Sequence, residues 1–228
     1  MRETVAVIAA HADDDVLGCG GTIAKLRQNG ANIVTMFFTD GVGSRLPNSD
    51  LDNVSSAKTR NESMKVSHSI LGMQNHACLA YPDNQLDTVP LLTLSKEVEE
   101  FLKIHNPTKV FTHTERDLNI DHQRVSQAVI TACRPLSYFN VSTLLFFEVP
   151  SATNWQLSTR IGPFDPRYFV DITETIEMKI KAFEVYRGEV REYPHPRSET
   201  YLRALAQFRG AACGVNYAEA FEIGRIQI

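Results

Sequence analysis

Short strand-like runs alternate with longer helical segments along the whole chain, and few folds accommodate that rhythm. β-branched, aromatic and other apolar residues concentrate in runs at residues 5–9, 33–39, 109–113, 144–148 and 169–172. Helix-forming residues at helical spacing occupy residues 20–28, 58–71, 91–105, 122–133, 174–187 and 200–212. This βαβ pattern predicts an α/β fold in which helices cover both faces of a mostly parallel sheet.

The size and charge of the chain narrow the class of protein. Its 228 residues, 43% of them hydrophobic, suffice for one large domain, which we expect to span residues 1–228. A net charge of -4 with scattered basic residues argues against nucleic acid or an anionic membrane as a partner. No apolar stretch approaches the roughly 18 residues of a membrane span, and four well-separated cysteines form no CxxC pair. We therefore expect a cytoplasmic protein with a small or neutral partner.

A histidine and three consecutive aspartates follow the first predicted strand directly, in the segment HADDDVLGCGG at residues 11–21. Adjacent carboxylates repel one another unless a cation or several hydrogen-bond donors compensate their charge. In parallel sheets ligands bind beyond the carboxyl ends of the strands, where this segment lies. Catalytic zinc sites take three ligands from His, Asp and Glu and leave one position to water. His11 and Asp14 are therefore candidate ligands of a metal ion.

A third ligand has to come from another loop, and the segment THTERDLNIDH at residues 112–122 also follows a predicted strand. Either His113 or His122 can complete the set if the loops that follow the predicted strands at residues 5–9 and 109–113 meet above the sheet. Two simpler interpretations compete with a metal site. Residues 13–15 could form a solvated turn that caps the next helix, and the glycines at residues 18–21 resemble a dinucleotide loop. That loop lacks the third spaced glycine and follows carboxylates that repel a pyrophosphate, so we discount it.

Several motifs, in the same order, resemble those of the PIG-L/LmbE-like zinc-dependent N-deacetylases. The segment AHADDDVLGCGGTIAKL resembles the AHPDDE signature of that family, and DLNIDH at residues 117–122 resembles its D-x-H-x-D-H motif. Further runs resemble a branch with a DLNIDH motif, namely TRNE at residues 59–62, FEVPS at 147–151, HPRS at 195–198, RG at 209–210 and AEAF at 218–221. The resemblance implies a Rossmann-like domain that removes an acetyl group from an amide nitrogen.

The resemblance also implies roles for individual residues. His11, Asp14 and His122 would bind Zn²⁺, or another divalent ion such as Fe²⁺, since nitrogen and oxygen ligands suit several ions. Zinc lowers the pKa of its bound water toward about 7, and Asp13 would act as the general base that takes the proton. Asp121, beside the ligand His122, would orient groups in the site; alternatively, it caps the helix that follows.

The chain departs from the usual family pattern at three positions. Ala12 stands where proline is usual and Asp15 where glutamate is usual, and neither change touches the expected chemistry. Asn119 replaces a histidine that in many members polarises the carbonyl group and protonates the leaving amine. An amide can donate a hydrogen bond to an oxyanion but cannot deliver a proton at neutral pH. Our hypothesis is that Asn119 serves the oxyanion, while Asp13 acts first as base and then as acid, or His195 supplies the second proton.

Four side chains are candidates for binding the substrate. Arg60 and Arg197 carry guanidinium groups that suit hydroxyl-rich or phosphorylated ligands. Alternatively, Arg60 is a charge on a helix surface and Arg197 forms a salt bridge in a turn. Trp155, the only tryptophan, lies on a predicted loop and offers an apolar face to a sugar ring. Asp40, directly after the second strand, could line the mouth of the site.

These expectations describe a metal-dependent hydrolase that removes the N-acetyl group from an amino sugar of the GlcNAc type. The resemblance implies a sugar that is free or linked to a nucleotide or lipid, in glycoconjugate or surface-polysaccharide synthesis. The alternatives are deacylation of another small amide, such as a thiol-sugar or antibiotic precursor, and a sugar-binding protein without turnover. The expected partner is a small-molecule sugar, and a homo-oligomer is compatible with the resemblance because family members commonly assemble.

Overall fold

The computed structural model describes residues 2–39, 41, 50–73, 75–135, 138–158 and 160–227, without the side chains of residues 50–57 and 75. One sheet contains the strands β1 (Thr4–Ala9), β2 (Asn32–Thr39), β3 (Asn75–Tyr81), β4 (Lys109–His113), β5 (Thr143–Phe147), β6 (Tyr168–Asp171) and β7 (Ala218–Ile226). The helices of the described residues are α1 (Asp14–Gln28), α2 (Asp50–Ile70), α3 (Leu91–His105), α4 (Ile120–Ala132), α5 (Ile176–Glu184) and α6 (Glu199–Cys213). Short 3-10 helices occupy Leu86–Thr88 and Thr153–Trp155.

The strand order in the sheet is β3-β2-β1-β4-β5-β7-β6. The five strands β3, β2, β1, β4 and β5 run parallel, and β7 pairs antiparallel with both β5 and β6. The prediction of an α/β fold with a mostly parallel sheet is therefore confirmed. The sequence pattern does not reveal β3 and β7. The sequence of β3, NHACLAY, mixes polar and apolar residues at an edge of the sheet, and that of β7, AEAFEIGRI, contains two glutamates.

The central strand β1 is buried on both faces, which explains its continuous apolar sequence. Its alternate side chains belong to two separate hydrophobic clusters, because successive residues of a strand point to opposite faces. One cluster contains Val5, Val7 and Ala9 together with residues of α1, α2, α5 and α6. The other contains Ala6 and Ile8 together with residues of α3 and α4. Helices thus cover both faces of the sheet, as predicted. No helix in the described part of the chain is long and apolar enough to cross a bilayer.

Helix α1 begins at Asp14 and not near residue 20, and it bends at Cys19, where φ is -147°. The glycines beside the bend allow close packing. A Cβ atom on Gly18 would lie 2.3 Å from the Phe147 ring, and one on Gly21 would lie 2.8 Å from Ile172. The Glu219 carboxylate accepts hydrogen bonds from two backbone amides after the bend, at 2.7 and 3.0 Å. The glycine-rich run therefore serves the packing of a helix against strands, which agrees with discounting a dinucleotide loop.

Candidate metal centre and active site

The loops after β1, β3 and β4 meet at the carboxyl edge of the sheet. Strands β1 and β4 are direct neighbours, and Ile8 pairs with Thr112 near their carboxyl ends. The segment of residues 11–15 therefore lies beside the segment of residues 113–122, which is the condition that the sequence set for a shared metal site. Asp13, Asp14 and Asp15 are all at most 1% exposed. A solvated turn is thus the wrong interpretation for these aspartates, and Asp13 makes no side-chain cap at the start of α1.

Three buried side chains point one atom each toward a common position. Asp14 Oδ2 lies 3.0 Å from His11 Nδ1 and 3.2 Å from His122 Nε2. The two imidazole nitrogens lie 3.3 Å from each other. We call these three atoms the ligand triangle. Zinc bonds of about 2.0–2.1 Å in tetrahedral geometry place neighbouring ligand atoms about 3.3 Å apart, so the triangle fits a divalent ion. Asp14 Oδ1 is buried and has no hydrogen-bond partner among the described residues.

Carboxylates face the outer nitrogens of both imidazoles. His11 Nε2 lies 3.1 Å from Asp83 Oδ1 and 3.3 Å from Asp121 Oδ2. His122 Nδ1 lies 3.1 Å from Asp117 Oδ2. A carboxylate at the outer nitrogen fixes the ring and holds the proton there, so that the inner nitrogen presents its lone pair. Both inner nitrogens belong to the ligand triangle.

The electrostatics of the triangle favour a positive charge. Burial alone would raise the pKa of Asp14, but His122 and His11 hold it well below its usual range. Burial alone would lower the pKa of His122, but Asp14 and Asp117 raise it to about 9. Carboxylates that stabilise an imidazolium also stabilise a divalent cation, and the cation then competes with the proton for the same nitrogen.

His113 lies next to the triangle but has a different role. Its Nε2 atom accepts a hydrogen bond from the Ala10 amide at 2.9 Å, so its lone pair is engaged by the backbone. Its ring stacks on His122 with 3.9 Å between centroids. Burial, together with the neighbouring His122, holds the pKa of His113 well below its usual value. Of the two histidines that the sequence left as alternatives, the structure brings His122 into the triangle and leaves His113 as a neutral support.

Asp13 belongs to a second group, which we call the arginine–carboxylate cluster and which consists of Asp13, Arg60, Glu189 and Arg197. Arg60 Nη2 lies 2.6 Å from Asp13 Oδ1, and Arg197 Nη1 lies 3.3 Å from Asp13 Oδ2. Glu189 contacts both guanidiniums, at 2.7 Å from Arg60 and at close range from Arg197. Burial raises the pKa of Asp13 although the two guanidiniums oppose the shift.

This cluster decides between the interpretations of the two arginines. The Arg60 side chain is only 10% exposed, so a charge on the helix surface is the wrong description. It also donates a hydrogen bond to the Gly41 carbonyl, at 3.3 Å. Arg197 does form salt bridges, and its Nε atom donates a hydrogen bond to Ser151 Oγ, at 2.9 Å. The two guanidiniums therefore connect Asp13, in the segment after β1, to Gly41 and Ser151 in other loops.

The helix that follows residue 119 is capped by Asn119 and not by Asp121, which the sequence offered as a possible cap. Asn119 is the N-cap of α4, and its Oδ1 accepts hydrogen bonds from the amides of Asp121 and His122. Its Nδ2 donates to Asn84 Oδ1 at 3.1 Å. Asp121 instead accepts hydrogen bonds from the amides of Asn84 and Leu86, at 2.7 and 3.0 Å. A helix cap at Asp121 is therefore the wrong interpretation, and its carboxylate faces His11.

The remaining predicted residues are His195, Trp155 and Asp40. His195 Nδ1 accepts a hydrogen bond from the Arg197 amide at 3.0 Å, and its ring contacts Trp155 edge to face at 5.3 Å. Burial and the nearby Arg197 lower the pKa of His195. Trp155 is 45% exposed and ends a 3-10 helix, where the sequence predicted a loop. Asp40 lies outside the described residues.

Three carboxylates that contact the triangle or the arginines of the cluster were not predicted from the sequence. Asp117 lies within the quoted segment of residues 112–122, where its spacing from His122 was a usable signal. Asp83 follows β3, a strand that the sequence pattern does not reveal. Glu189 lies between α5 and α6 without any local signal. Asp15, which stands where the family usually has glutamate, contacts the buried His68 at 2.9 Å, a partner 53 residues away.

Comparisons with known proteins identify relatives of this chain. Residues 6–133 match the family model described as PIG-L: GlcNAc-PI de-N-acetylase. The diacetylchitobiose deacetylase of Thermococcus kodakarensis is 26% identical over 229 residues, covering 94% of this chain and 80% of that protein. The uncharacterised deacetylase YaiS of Escherichia coli is 30% identical over 155 residues, covering 66% of this chain and 76% of that protein.

A solved structure of a deacetylase is also similar to this chain. The N,N'-diacetylchitobiose deacetylase of Pyrococcus horikoshii is similar with a TM-score of 0.78 at 27% identity, covering 97% of this chain and 83% of that chain. The similarity therefore extends beyond the segment that the family model matches. Because that segment itself spans more than half of the sequence, the chain belongs to the PIG-L family.

Proposed function

We propose that this protein is a metal-dependent N-deacetylase that acts on an N-acetylated amino sugar of the GlcNAc type. The observation that carries the proposal is the ligand triangle, in which three buried atoms lie 3.0–3.3 Å apart. Asp13, the proposed base, is the residue directly before the triangle member Asp14. The names of the Thermococcus and Pyrococcus relatives, both diacetylchitobiose deacetylases, support an amino-sugar substrate.

The chain's own residues would hold the ion and manage the proton. His11, Asp14 and His122 would bind Zn²⁺ or Fe²⁺, which when bound acidifies water and polarises the amide carbonyl. Asp13 would accept the proton of the attacking water, a role that suits a buried carboxylate with a raised pKa. Asp121 would orient His11 through the outer ring nitrogen.

The leaving amine requires a second proton, and we propose that Asp13 also delivers it. Asn119 cannot supply a proton, and its side-chain oxygen is engaged in capping α4. His195 has a lowered pKa, so its ring is mostly neutral at pH 7 and seldom carries the proton that it would have to donate. Asp13, once protonated by the attacking water, is the remaining candidate of the two that the sequence suggested. Asn119 would then contribute through the position of Asp121 and His122.

The charge balance of the arginine–carboxylate cluster favours a neutral sugar over a phosphorylated one. Two guanidiniums, of Arg60 and Arg197, each face Asp13 and Glu189, so two positive charges meet two negative charges. Such paired guanidiniums can still donate hydrogen bonds to sugar hydroxyls, but they offer little net attraction for a phosphate. We propose Arg60, Arg197 and the exposed ring of Trp155 as substrate contacts. Asp40 stays a prediction from the sequence.

Metal content and acetate release test the proposal together. The protein is loaded with Zn²⁺ or Fe²⁺ and incubated with GlcNAc, diacetylchitobiose, GlcNAc 1-phosphate and UDP-GlcNAc. We expect stoichiometric metal and faster acetate release from the two neutral sugars. Stoichiometric metal without acetate from any donor would favour a sugar-binding protein without turnover. A chain that retains no divalent ion would refute the proposal, and a preference for the phosphorylated donors would refute only the argument from charge balance.

A further inference from the structure

Asp117 is fully buried and connects the ligand triangle to the turn that carries Trp155. Its Oδ2 atom lies 3.1 Å from His122 Nδ1 and accepts a hydrogen bond from Thr153 Oγ1 at 2.8 Å. Its Oδ1 atom accepts a hydrogen bond from the Asn119 amide at 2.8 Å. Both carboxylate oxygens therefore accept hydrogen bonds from neighbouring residues.

The proton of the Thr153 hydroxyl is directed by its second contact. Thr153 Oγ1 accepts a hydrogen bond from the Val149 amide at 2.8 Å, so its own proton is available for Asp117. Thr153 begins the 3-10 helix that ends at Trp155. Directly after that helix, Gln156 Nε2 donates a hydrogen bond to the Asp117 carbonyl oxygen at 3.0 Å. The turn is therefore attached to Asp117 on both sides of Trp155.

We propose that Asp117 is a positioning residue that couples the metal ligand His122 to the Trp155 turn. Fixing the His122 ring for metal binding also fixes the carboxylate that receives Thr153, and the reverse holds as well. A divalent ion in the triangle and a sugar ring on Trp155 then favour each other's binding, because each orders the carboxylate that supports the other, and such coupling is the same in both directions. The inference rests on the metal site of the proposed function.

The first test measures metal affinity. Zn²⁺ binding is titrated in competition with a chelator for the full chain and for Asp117→Asn, which removes the charge at nearly constant shape. We expect the zinc affinity to fall by about 10- to 100-fold, the usual effect of losing the partner of a ligand histidine. Asp165→Asn, which changes an exposed aspartate, should leave the affinity unchanged.

The second test uses Trp155 as the only tryptophan in the chain. Zn²⁺ addition should change the Trp155 emission of the native protein. Thr153→Val removes the hydroxyl that joins the turn to the Asp117 carboxylate, although Gln156 still contacts the Asp117 carbonyl oxygen. The carboxylate is the group that faces His122, so the zinc-dependent change should disappear and the zinc affinity should fall by about fivefold. Thr153→Ser keeps the hydroxyl and should restore both. A purely structural role of Thr153 would not remove the dependence of the emission on zinc, and circular dichroism confirms that each variant is folded.

The outcomes separate the inference from the proposed function. A native protein that binds no divalent ion refutes the proposed function. If the native protein binds zinc and Asp117→Asn binds it equally tightly, the positioning role is wrong. The coupling is also wrong if zinc leaves the native Trp155 emission unchanged, or if the zinc-dependent change persists in Thr153→Val. Should Asp117→Asn fail to fold, the comparison between Thr153→Val and Thr153→Ser still decides.

Discussion

The ligand triangle and the arginine–carboxylate cluster lie side by side, yet they compensate buried carboxylates in different ways. Around the triangle, four aspartates face the imidazoles of His11 and His122, which are positively charged only when protonated. In the cluster, Asp13 and Glu189 face two guanidiniums that remain charged at any physiological pH. The cluster balances its own charge, whereas the triangle gains from a cation supplied from outside.

The difference separates two neighbouring residues of the same segment. Burial raises the pKa of Asp13 even beside two arginines, while His122 and His11 hold the pKa of Asp14 well below its usual range against the effect of burial. A raised pKa suits a group that exchanges protons, and a lowered pKa suits a permanently ionised ligand. Adjacent positions of one loop thus present a candidate base and a candidate ligand.

The largest expected effects on zinc content and activity come from substituting these two aspartates one at a time. Asp14→Asn removes the charged member of the triangle, so we expect loss of stoichiometric zinc and of all activity above background. Asp13→Asn should keep the zinc and lower kcat/KM by about 100- to 10,000-fold, the usual contribution of a general base. Metal analysis and acetate release on the same preparations check both. Loss of zinc from Asp13→Asn, or its retention in Asp14→Asn, would contradict the assignment of the two roles.

A smaller effect should follow from disturbing the charge balance of the cluster. Glu189→Gln leaves two guanidiniums against one carboxylate, and breaking such a buried pair destabilises the fold by about 3–5 kcal/mol. The excess positive charge should also raise the rate for UDP-GlcNAc relative to that for GlcNAc. Urea unfolding and the ratio of the two kcat/KM values measure these changes. Glu192→Gln, an exposed residue of the same segment, is the matched control; an unchanged ratio in Glu189→Gln would remove the argument for a neutral sugar.

The sequence predicts the triangle better than the cluster for a physical reason. Strands are recognisable from their apolar runs, and parallel strands bring the segments that follow them to one edge of the sheet. His11, Asp14 and His122 all follow such strands closely, so local patterns locate them. Glu189 lies between two helices, and its position depends on how α5 and α6 pack. No short-range pattern encodes that packing.

The contrast between local patterns and distant contacts also applies to the ends of the helices. Periodicity predicts five of the seven described strands and the helices that cover them, but it does not predict β3, β7 or the early start of α1 at Asp14. The bend of α1 at Cys19 lies beside backbone amides that donate to Glu219 on a distant strand. The N-cap at Asn119 had a local signal, since asparagine is among the preferred capping residues. The family resemblance directs attention to its chemistry instead. The start of α1 was therefore missed because it depends on tertiary contacts. The cap of α4 was missed because an asparagine can serve either as a helix cap or in the active site.

A pH profile of kcat/KM tests whether His195, which lies beside the cluster residue Arg197, supplies the second proton. Burial and Arg197 lower the pKa of His195 from its usual 6.5, so its ring is neutral over the alkaline range in which an acid would have to be protonated. If Asp13 carries both protons, His195→Ala should keep both limbs of the kcat/KM profile and lose less than about tenfold in rate. His105→Ala, far along the chain at the end of α3, is the control. Loss of the alkaline limb alone in His195→Ala would assign the second proton to His195.

The smallest effect is expected at Trp155, whose ring contacts His195 beside the cluster residue Arg197. Trp155 is 45% exposed, so it contributes little to the core and its side chain is available to a sugar. Trp155→Ala should raise KM for diacetylchitobiose by about two- to tenfold with kcat nearly unchanged, because an aromatic contact contributes about 0.5–1.5 kcal/mol. Trp155→Phe keeps an aromatic face and should recover most of the loss. If Trp155→Ala instead lowers kcat at constant KM, the ring acts on the chemistry and the separation between triangle, cluster and sugar contact has to be redrawn.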